Sequence, residues 1–432
     1  MKGNFQIIIL VVFIAAAVLG VFVFSGAIPL GNQDNNTGAQ GTVVLWGTVK
    51  SQVIASLLEN FNRANPTFVV KYVEKSADTF DSDLLEALAS GVGPDLFFIS
   101  DDLVYKYSNK IFTIPYTSFP VSTFKNSFVG AGEVFLTSKG VLALPLTVDP
   151  LMMYYNRSML DANSIIYPPT FWEEFANLIS VLNKKDERGT ILKSTVAMGQ
   201  FSNVLHAKDI LATLFMQVGN SIVTEKNGSF VSVLNGNDGG NILGSTLQFY
   251  TDFADPLKNV YSWNKSFSNS RDAFSAENLA FYFGYASELQ SLINKNPNQN
   301  FLVAPMPQVR NSNFKLTSAK VTGVAISSFS KNLNTAFIAA GLLANSDFAD
   351  KLSISLNIAP ARRDLLKIVP TTDVYLPAFY SSALFSKSWL DPSPKDTNNI
   401  FQGMVEKVLS NSMSVTQAIS DAGAKLGLLL MK

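Results

Sequence analysis

Acidic side chains follow two apolar runs of the sequence at points where buried strands are expected to end. Asp101 and Asp102 come directly after residues 93–100, and Asp149 follows residues 141–148. A carboxylate can accept hydrogen bonds from two hydroxyl groups, which suits sugar recognition. Two carboxylates facing each other across a cleft could instead hydrolyse a glycosidic bond. Spacing along the chain does not fix the distance between Asp102 and Asp149, so both interpretations stay open.

Each acid also has a structural interpretation. An aspartate between two strands can bond nearby backbone N–H groups, and Asp149 could do so in a turn. Aspartates that follow a strand readily cap the next helix. We expect one of Asp101 and Asp102 to cap and the other to face a ligand, with Asp102 favoured for the ligand. Both stay candidate ligand residues, together with the adjacent Ser100.

Aromatic and basic side chains supply further candidates. Trp46, with Gly47 beside it, stands at the end of a predicted strand and could be core or a stacking surface. Trp389 follows a loop and could reach a cleft. Arg362 could hold an anionic or hydroxylated solute, with an ion pair as the alternative. His206, the only histidine, is interpreted as a structural or surface residue.

The composition excludes several kinds of chemistry. The chain has no cysteine and one histidine, which excludes cysteine–histidine catalysis and a multi-histidine metal site. No phosphate-binding loop or complete dinucleotide fingerprint is present, so we expect neither a cofactor nor a metal. The 33 basic and 33 acidic side chains balance, which removes the electrostatic case for nucleic acid as a partner.

The N-terminus predicts export. Residues 7–24 are continuously apolar, near the minimum length that spans a bilayer, and Lys2 precedes them. Residues 1–27 therefore form either a membrane anchor or a cleaved signal peptide, with small residues at 25–27 for cleavage. Residues 28–41 are polar and glycine-rich, typical of a flexible linker. Both alternatives place the remaining chain outside the cytoplasm.

Strand and helix patterns alternate after the linker. Strands are predicted at 42–46, 68–73 and 93–100, with amphipathic helices at 53–61 and 80–91 between them. This order indicates an α/β fold with a parallel sheet. Ligands bind beyond the carboxyl ends of such strands, so Trp46 and Ser100 should lie on one edge. Asp149 could join them there.

Residues 140–161 should form a crossing between two lobes. They contain two short apolar runs separated by Asp149 and Pro150. Proline lacks an N–H group, so neither strand is expected to run regularly through this pair. Further helices are predicted at 168–182 and 205–219, and further strands at 279–285, 301–305 and 322–327.

Several segments occur in an order that resembles a known family. They read VVLWG, GVGPDLFFISDD, GVLALPLTVDPLMMYYNRSML, PPTFWEEF, ENLAFYFGYASEL, APMPQ and TGVAIS. They resemble the bacterial extracellular solute-binding proteins of family 1, the maltose-binding-protein-like receptors of ABC importers. The resemblance covers nearly everything after the linker.

The resemblance implies a periplasmic-binding-protein-like fold of type II, with two discontinuous α/β lobes joined by hinge strands. The lobes would comprise 42–148 with 299–346, and 149–298 with 347–432. It places Asp149 where the family often has an acidic ligand residue, and Ser100–Asp102 where sugar hydroxyls are often contacted. It also places Tyr285 beside an aromatic stacking position. The family commonly has tryptophan in that loop, so Phe283 or Trp263 could substitute.

The expected function is that of an extracytoplasmic receptor for an ABC importer that binds a sugar or oligosaccharide by hinge closure. Its partners would be the solute, the permease subunits and, through the N-terminal helix, the membrane, and it would act as a monomer. The family's lipid-anchored members carry a cysteine that this chain lacks. A cell-wall glycoside-processing enzyme, or a receptor for a peptide or polyamine, is the alternative.

Overall fold

The computed structural model describes residues 39–234 and 240–431. They form two compact units. Unit 1 extends to Val148 and includes Lys320–Ile368, and unit 2 comprises Asp149–Ala319 and the residues from Val369 onward.

The unit boundaries differ from the predicted lobes in two segments. Residues 299–319 belong to unit 2 and residues 347–368 to unit 1. Strand pairing explains both differences. The strand Phe301–Pro305 pairs with residues 152–156 of unit 2, and Ala359 pairs with Val148 of unit 1.

The strands and helices are numbered separately in chain order. The strands are β1 Gly41–Gly47, β2 Phe68–Glu74, β3 Leu96–Ser100, β4 Leu136–Thr137, β5 Gly140–Val141, β6 Ala143–Asn156, β7 Lys184–Lys185, β8 Ile191–Val196, β9 Val223–Lys226, β10 Ser229–Ser232, β11 Leu279–Tyr285, β12 Phe301–Pro305, β13 Thr317–Ile326, β14 Ala359–Pro360 and β15 Ser386–Lys387. The α-helices are α1 Ser51–Ala64, α2 Phe80–Ser90, α3 Val104–Tyr107, α4 Val121–Ser127, α5 Arg157–Asp161, α6 Phe175–Leu182, α7 Ala207–Gln217, α8 Gly240–Asp252, α9 Ser270–Ser275, α10 Leu289–Lys295, α11 Leu333–Leu343, α12 Ser346–Leu356, α13 Leu376–Leu384, α14 Pro394–Leu409 and α15 Val415–Leu429.

Unit 1 is built on the predicted β–α–β alternation. β1 is parallel to β2 and to β3, whereas β13 joins β3 in the antiparallel direction. The apolar face of α1 buries Ile54, Leu58 and Phe61, which recur at helical spacing. α2 ends at Gly91, whose φ of 70° is the left-handed conformation that glycine adopts readily.

The prediction that Asp149 and Pro150 interrupt the strand is wrong. β6 runs from Ala143 to Asn156 without a break. The fixed φ of proline is compatible with extended backbone, so Pro150 does not interrupt the strand. Because it lacks an N–H group, it only prevents one hydrogen bond to a neighbouring strand. Pairing with β14 reaches Val148, and pairing with β11 begins at Leu151.

Unit 2 has β6 between β12 and β11, both antiparallel to it, and β8 parallel to β11. Six aromatic side chains pack mostly edge to face beside this sheet: Trp172, Phe175, Phe249, Phe253, Phe281 and Phe283. The helix predicted at 168–182 is shorter. It begins as a 3-10 turn at Trp172–Glu174 and continues as α6.

The predicted anchor or signal at residues 1–27, and most of the predicted linker, lie outside the described residues. Within 39–234 and 240–431, no helix combines the length and apolar character needed to cross a membrane.

Candidate functional site

Two of the candidate segments lie on one edge of the unit 1 sheet. β1 and β3 are parallel neighbours with Trp46 opposite Phe97, so Gly47 is level with Phe98. Ser100 lies two residues farther along β3, about 7 Å beyond that level. A Cβ atom on Gly47 would lie 2.7 Å from the Phe98 ring, so the absence of a side chain allows this close packing.

Trp46 is half-buried at the end of β1. The Lys75 ammonium lies 3.9 Å from its ring centroid, a cation–π contact. The backbone N–H of Lys75 also donates to the Gly47 carbonyl at 2.8 Å, which holds the lysine beside the tryptophan. One face of the indole is therefore occupied by a cation.

The two neighbouring acids after β3 have different surroundings. Asp101 is buried, and its carboxylate accepts the Val321 backbone N–H at 3.0 Å. The Asp101 N–H donates to the Val321 carbonyl at 3.0 Å, so both the backbone and the side chain of Asp101 are bonded to Val321 of β13. Asp102 is half-buried and accepts the Ser100 hydroxyl. Asp102 and Ser100 therefore form the solvent-accessible part of this strand end.

Arg362 follows β14 in unit 1, and its guanidinium contacts neighbouring groups of the same unit. Its guanidinium pairs with Asp364 at 2.8 Å and donates to the Ala344 carbonyl at 3.2 Å. Ala344 ends α11, so the cation also stabilises the negative end of that helix dipole. The Phe128 ring lies 5.9 Å from the guanidinium carbon. These contacts correspond to the structural alternative considered for Arg362.

In unit 2 the structure brings Asp149 next to Tyr285. β6 and β11 are antiparallel with Leu151 opposite Tyr285, so residues preceding Leu151 meet residues following Tyr285. The backbone N–H of Ser287 donates to the Asp149 carboxylate at 2.9 Å, and Asp149 is half-buried. The partner N–H is 138 residues away along the chain, so this contact is tertiary and no local turn is involved.

The Tyr285 side chain is only 3% exposed. Its ring meets the His206 ring edge to face at 4.9 Å. Its carbonyl accepts the Tyr154 hydroxyl at 2.9 Å. Phe283 and Trp263, considered as substitutes for ligand stacking, are 2% and 0% exposed and belong to the core.

Glu288 is a residue of this region that the sequence reasoning missed. Its carboxylate accepts the Tyr285 N–H at 2.9 Å, the Tyr282 hydroxyl at 2.7 Å and a hydrogen bond from His206 at 2.6 Å. Burial favours the neutral acid, but the hydrogen bond from His206 and the others outweigh it and lower the pKa of Glu288. A glutamate three residues into a helical turn is one half of a capping box, but Tyr285 stands where the serine or threonine of that motif is expected.

His206 precedes α7 and connects this turn to the helix. Burial opposes its charge, but the nearby carboxylates of Asp209 and Glu288 prevail and raise the pKa of His206 to about 9. The residue has a positive φ of 60°. The sequence-based interpretation of His206 as structural agrees with these contacts.

The first turn of α7 also reaches the second aromatic candidate of unit 2. Lys208 lies 5.7 Å from the ring centroid of Trp389 and pairs with Asp391 at 2.6 Å. Trp389 is half-buried and stacks on Phe401 at 6.2 Å. His206 and Lys208 are two residues apart, so the same turn contacts both Tyr285 and Trp389.

The described carboxylates and His206 do not form a metal centre. Among residues 39–234 and 240–431, no cluster of three or more histidine or acidic side chains is arranged to hold a metal ion. The strand ends instead present carboxylates, hydroxyls and aromatic rings, groups that bind hydroxylated solutes through hydrogen bonds and stacking.

Comparison with known proteins establishes the family. The bacterial extracellular solute-binding protein family matches residues 46–344, more than half of the chain, and this chain belongs to it.

Solved structures share its α/β periplasmic-binding-protein-like fold. A cyclo/maltodextrin-binding protein complexed with maltotetraose is 15% identical, with a TM-score of 0.71, covering 92% of this chain and 98% of that one. The sugar-binding protein MalE from Xanthomonas citri is 16% identical, with a TM-score of 0.70 and coverages of 90% and 97%. An ABC transporter solute-binding protein from Thermotoga lettingae, bound with alpha-D-tagatose, is 19% identical, with a TM-score of 0.62 and coverages of 90% and 100%.

Proposed function

We propose that this protein is the extracytoplasmic receptor of an ABC importer and that it binds a sugar or oligosaccharide between its two units by hinge closure. Membership of the solute-binding family supports the receptor role. Proteins of the same fold have been crystallised with maltotetraose and with tagatose, which supports the carbohydrate class. The permease subunits would be its protein partners.

The observation that carries the proposal is the position of Asp149. Its carboxylate stands at the end of β11, half-buried and fixed by the Ser287 N–H at 2.9 Å. A fixed, partly accessible carboxylate can accept sugar hydroxyls without first losing side-chain freedom. On the unit 1 side, Asp102 and Ser100 would supply further hydrogen bonds. Trp46 and Trp389, both half-buried, would supply apolar ring surface.

Closure would follow from contacts to both units. A ligand shifts a conformational equilibrium only by its difference in affinity for the two states. A solute held by Asp149 of unit 2 and Asp102 of unit 1 would bind a closed state better than an open one. This arrangement requires saturable binding and no chemical product.

A thermal-shift screen tests the proposal. The protein is melted with maltotetraose, maltose, tagatose, a peptide mixture and spermidine in turn. A ligand at a hundredfold excess over its dissociation constant adds about 2.7 kcal/mol of stability, which raises the melting temperature measurably. Stabilisation by spermidine or peptides but by no carbohydrate would refute the sugar assignment. Release of shorter sugars from the oligosaccharide would identify an enzyme instead.

Substitution of Asp149 by asparagine isolates its charge. Asparagine keeps an acceptor oxygen for the Ser287 N–H, so the turn should persist while the charged acceptor is lost. We expect affinity for the identified sugar to fall about 10- to 100-fold, from the loss of roughly 1.5–3 kcal/mol per charge-assisted hydrogen bond. Calorimetric titration measures the change. Glu187→Gln, an exposed carboxylate of unit 2, is the matched control and should bind normally.

A further inference from the structure

A two-stranded hairpin projects a tight turn from unit 2. β9 and β10 are antiparallel, and Lys226 pairs with Ser229, which leaves Asn227 and Gly228 as a two-residue turn. Both have positive φ, 52° and 78°. Such turns require left-handed backbone at both positions, and Asn-Gly is the dipeptide that adopts it at least cost.

The turn is also an acceptor motif for N-linked glycans. Asn227, Gly228 and Ser229 form the pattern Asn-X-Ser, in which X is any residue except proline. All three residues are exposed. The acceptor amide therefore stands at the exposed tip of a hairpin.

The other sequence matches differ in their surroundings. Asn156 is 0% exposed, and its side-chain oxygen caps α5 by accepting the Met159 N–H at 2.9 Å. Asn264 is half-buried, accepts the Ser266 N–H at 2.9 Å and donates to the Tyr261 hydroxyl at 2.8 Å. A further match at Asn35 lies outside the described residues. Among the described matches, Asn227 is the exposed one.

We propose that Asn227 is an N-glycosylation site. Its side-chain nitrogen would attack the anomeric carbon of a glycan carried on a lipid phosphate or pyrophosphate. A carbon–nitrogen bond forms, the bond from that carbon to the phosphate oxygen breaks, and the lipid phosphate leaves with the electron pair. The amide nitrogen loses one proton, and no electrons are transferred overall. The inference rests on the extracytoplasmic location in the proposed function, because such glycans are added to exported proteins.

The glycan would sit on a separate two-stranded sheet of unit 2, to which none of the candidate ligand residues belongs. It would add bulk and hydration at the hairpin tip, where the two strands pair only with each other. Sugar affinity measured on the glycosylated and unglycosylated chains should therefore be the same.

Mass spectrometry of the full chain, purified from the organism that encodes it, tests the site. Peptides containing Asn227 should carry a hexose-containing mass, whereas those containing Asn156 and Asn264 should not. An unmodified Asn227, or one changed only by conversion to aspartate, overturns the inference.

Three variants expressed in the same organism sharpen the test. Ser229→Ala removes the motif but keeps Asn227 in its turn, and should abolish the modification. Ser229→Thr retains the motif and should retain the glycan. Ser221→Ala removes an exposed hydroxyl just before β9, outside the motif, and should also retain it. A glycan that survives Ser229→Ala would contradict the assignment.

The result is separable from the proposed function. Sugar binding by a chain without a glycan at Asn227 would refute only the glycosylation site. A glycan at Asn227 on a chain that no carbohydrate stabilises would refute only the sugar receptor.

Discussion

Protonation of His206 should contribute to the stability of the folded protein. Its Nε2 atom lies 2.6 Å from Glu288, and its Nδ1 atom lies 3.8 Å from Asp209. Arg271, 3.8 Å from Glu288, is the other charged group of the cluster. The two carboxylates favour the imidazolium, so the folded protein should hold this proton more tightly than the unfolded chain does.

The direction of the pH dependence follows from this difference. The pKa of His206 is raised from 6.5 to about 9 in the folded state. Its contribution is therefore complete below about pH 6.5 and is lost as the pH rises through about 9, with a magnitude of roughly 3 kcal/mol. His206→Gln should destabilise the protein far more at about pH 6 than at about pH 10. These two pH values lie on either side of the range in which the His206 contribution is lost. Urea unfolding of both proteins measures this, and an equal loss at both pH values would contradict it.

Alanine substitutions of Asp101 and Asp102 should have different effects, the first mainly on stability and the second mainly on sugar binding. Asp101→Ala leaves the buried Val321 N–H without its carboxylate acceptor and should cost about 1–3 kcal/mol of unfolding free energy. Asp102→Ala removes a half-buried group bonded to Ser100 and should cost about 0.5 kcal/mol. Urea unfolding gives both values. Sugar affinity should fall in the Asp102 variant, and the interpretation fails if the two variants are destabilised equally.

The sequence predicted where these acids lie but could not assign their roles. Asp101 is held by a strand 220 residues away, and Asp149 by a turn 138 residues away. Which acid faces a backbone donor depends on the register of β3 with β13 and of β6 with β11. Glu288 was missed because its capping box begins at a tyrosine, without the serine or threonine that normally marks one.

At the level of elements, local pattern predicted the β1–α1–β2–α2–β3 order well. Alternating apolar runs and helical spacing depend on neighbouring residues alone, and β11 and β12 were predicted at their observed bounds. β6 was predicted as two strands because proline is disfavoured in a ladder. The structure tolerates Pro150 because β6 exchanges one partner for another at that point.

Asp95 joins several elements of unit 1 through its carboxylate and its backbone. Its carboxylate accepts the Val44 N–H of β1 at 2.9 Å and the Ser330 hydroxyl at 2.6 Å. Its carbonyl accepts the Ser327 N–H at 2.9 Å. These bonds connect the start of β3 to β1 and to the turn after β13.

Asp95→Ala should therefore destabilise unit 1 as a whole. The variant leaves the Val44 N–H and the Ser330 hydroxyl without their acceptor, which we expect to cost about 2–3 kcal/mol. Asp95→Asn retains one acceptor oxygen and should lose less. Urea unfolding measures the series. Asp78→Ala, an exposed acid of the same unit, serves as the control and should be nearly neutral. A loss in the alanine variant no larger than in this control would contradict the role.

At the scale of the molecule, unit 1 is made of two segments that are separated along the chain by most of unit 2. Lys320–Ile368 returns to unit 1 after 171 residues of unit 2, residues 149–319. The returning segment supplies the part of β13 from Lys320 onward, which pairs with β3 from Thr322 to Ile326, and β14, which pairs with β6. Unit 1 therefore cannot form its observed sheet from the first part of the chain alone.

Truncation after Ala319 should consequently unfold unit 1. The fragment 39–319 would leave β3 without an antiparallel partner and would remove α11, which packs against β1. A domain is usually stable by only about 5–15 kcal/mol, so the loss of a strand partner and of core packing should unfold it. We expect limited proteolysis of the fragment to cleave rapidly within 51–100, a region that should resist cleavage in the intact protein. Co-expression with residues 320–432 should restore resistance, because the missing strand can be supplied in trans. A protease-resistant fragment 39–319 on its own would show that β1–β3 and their helices fold independently of β13.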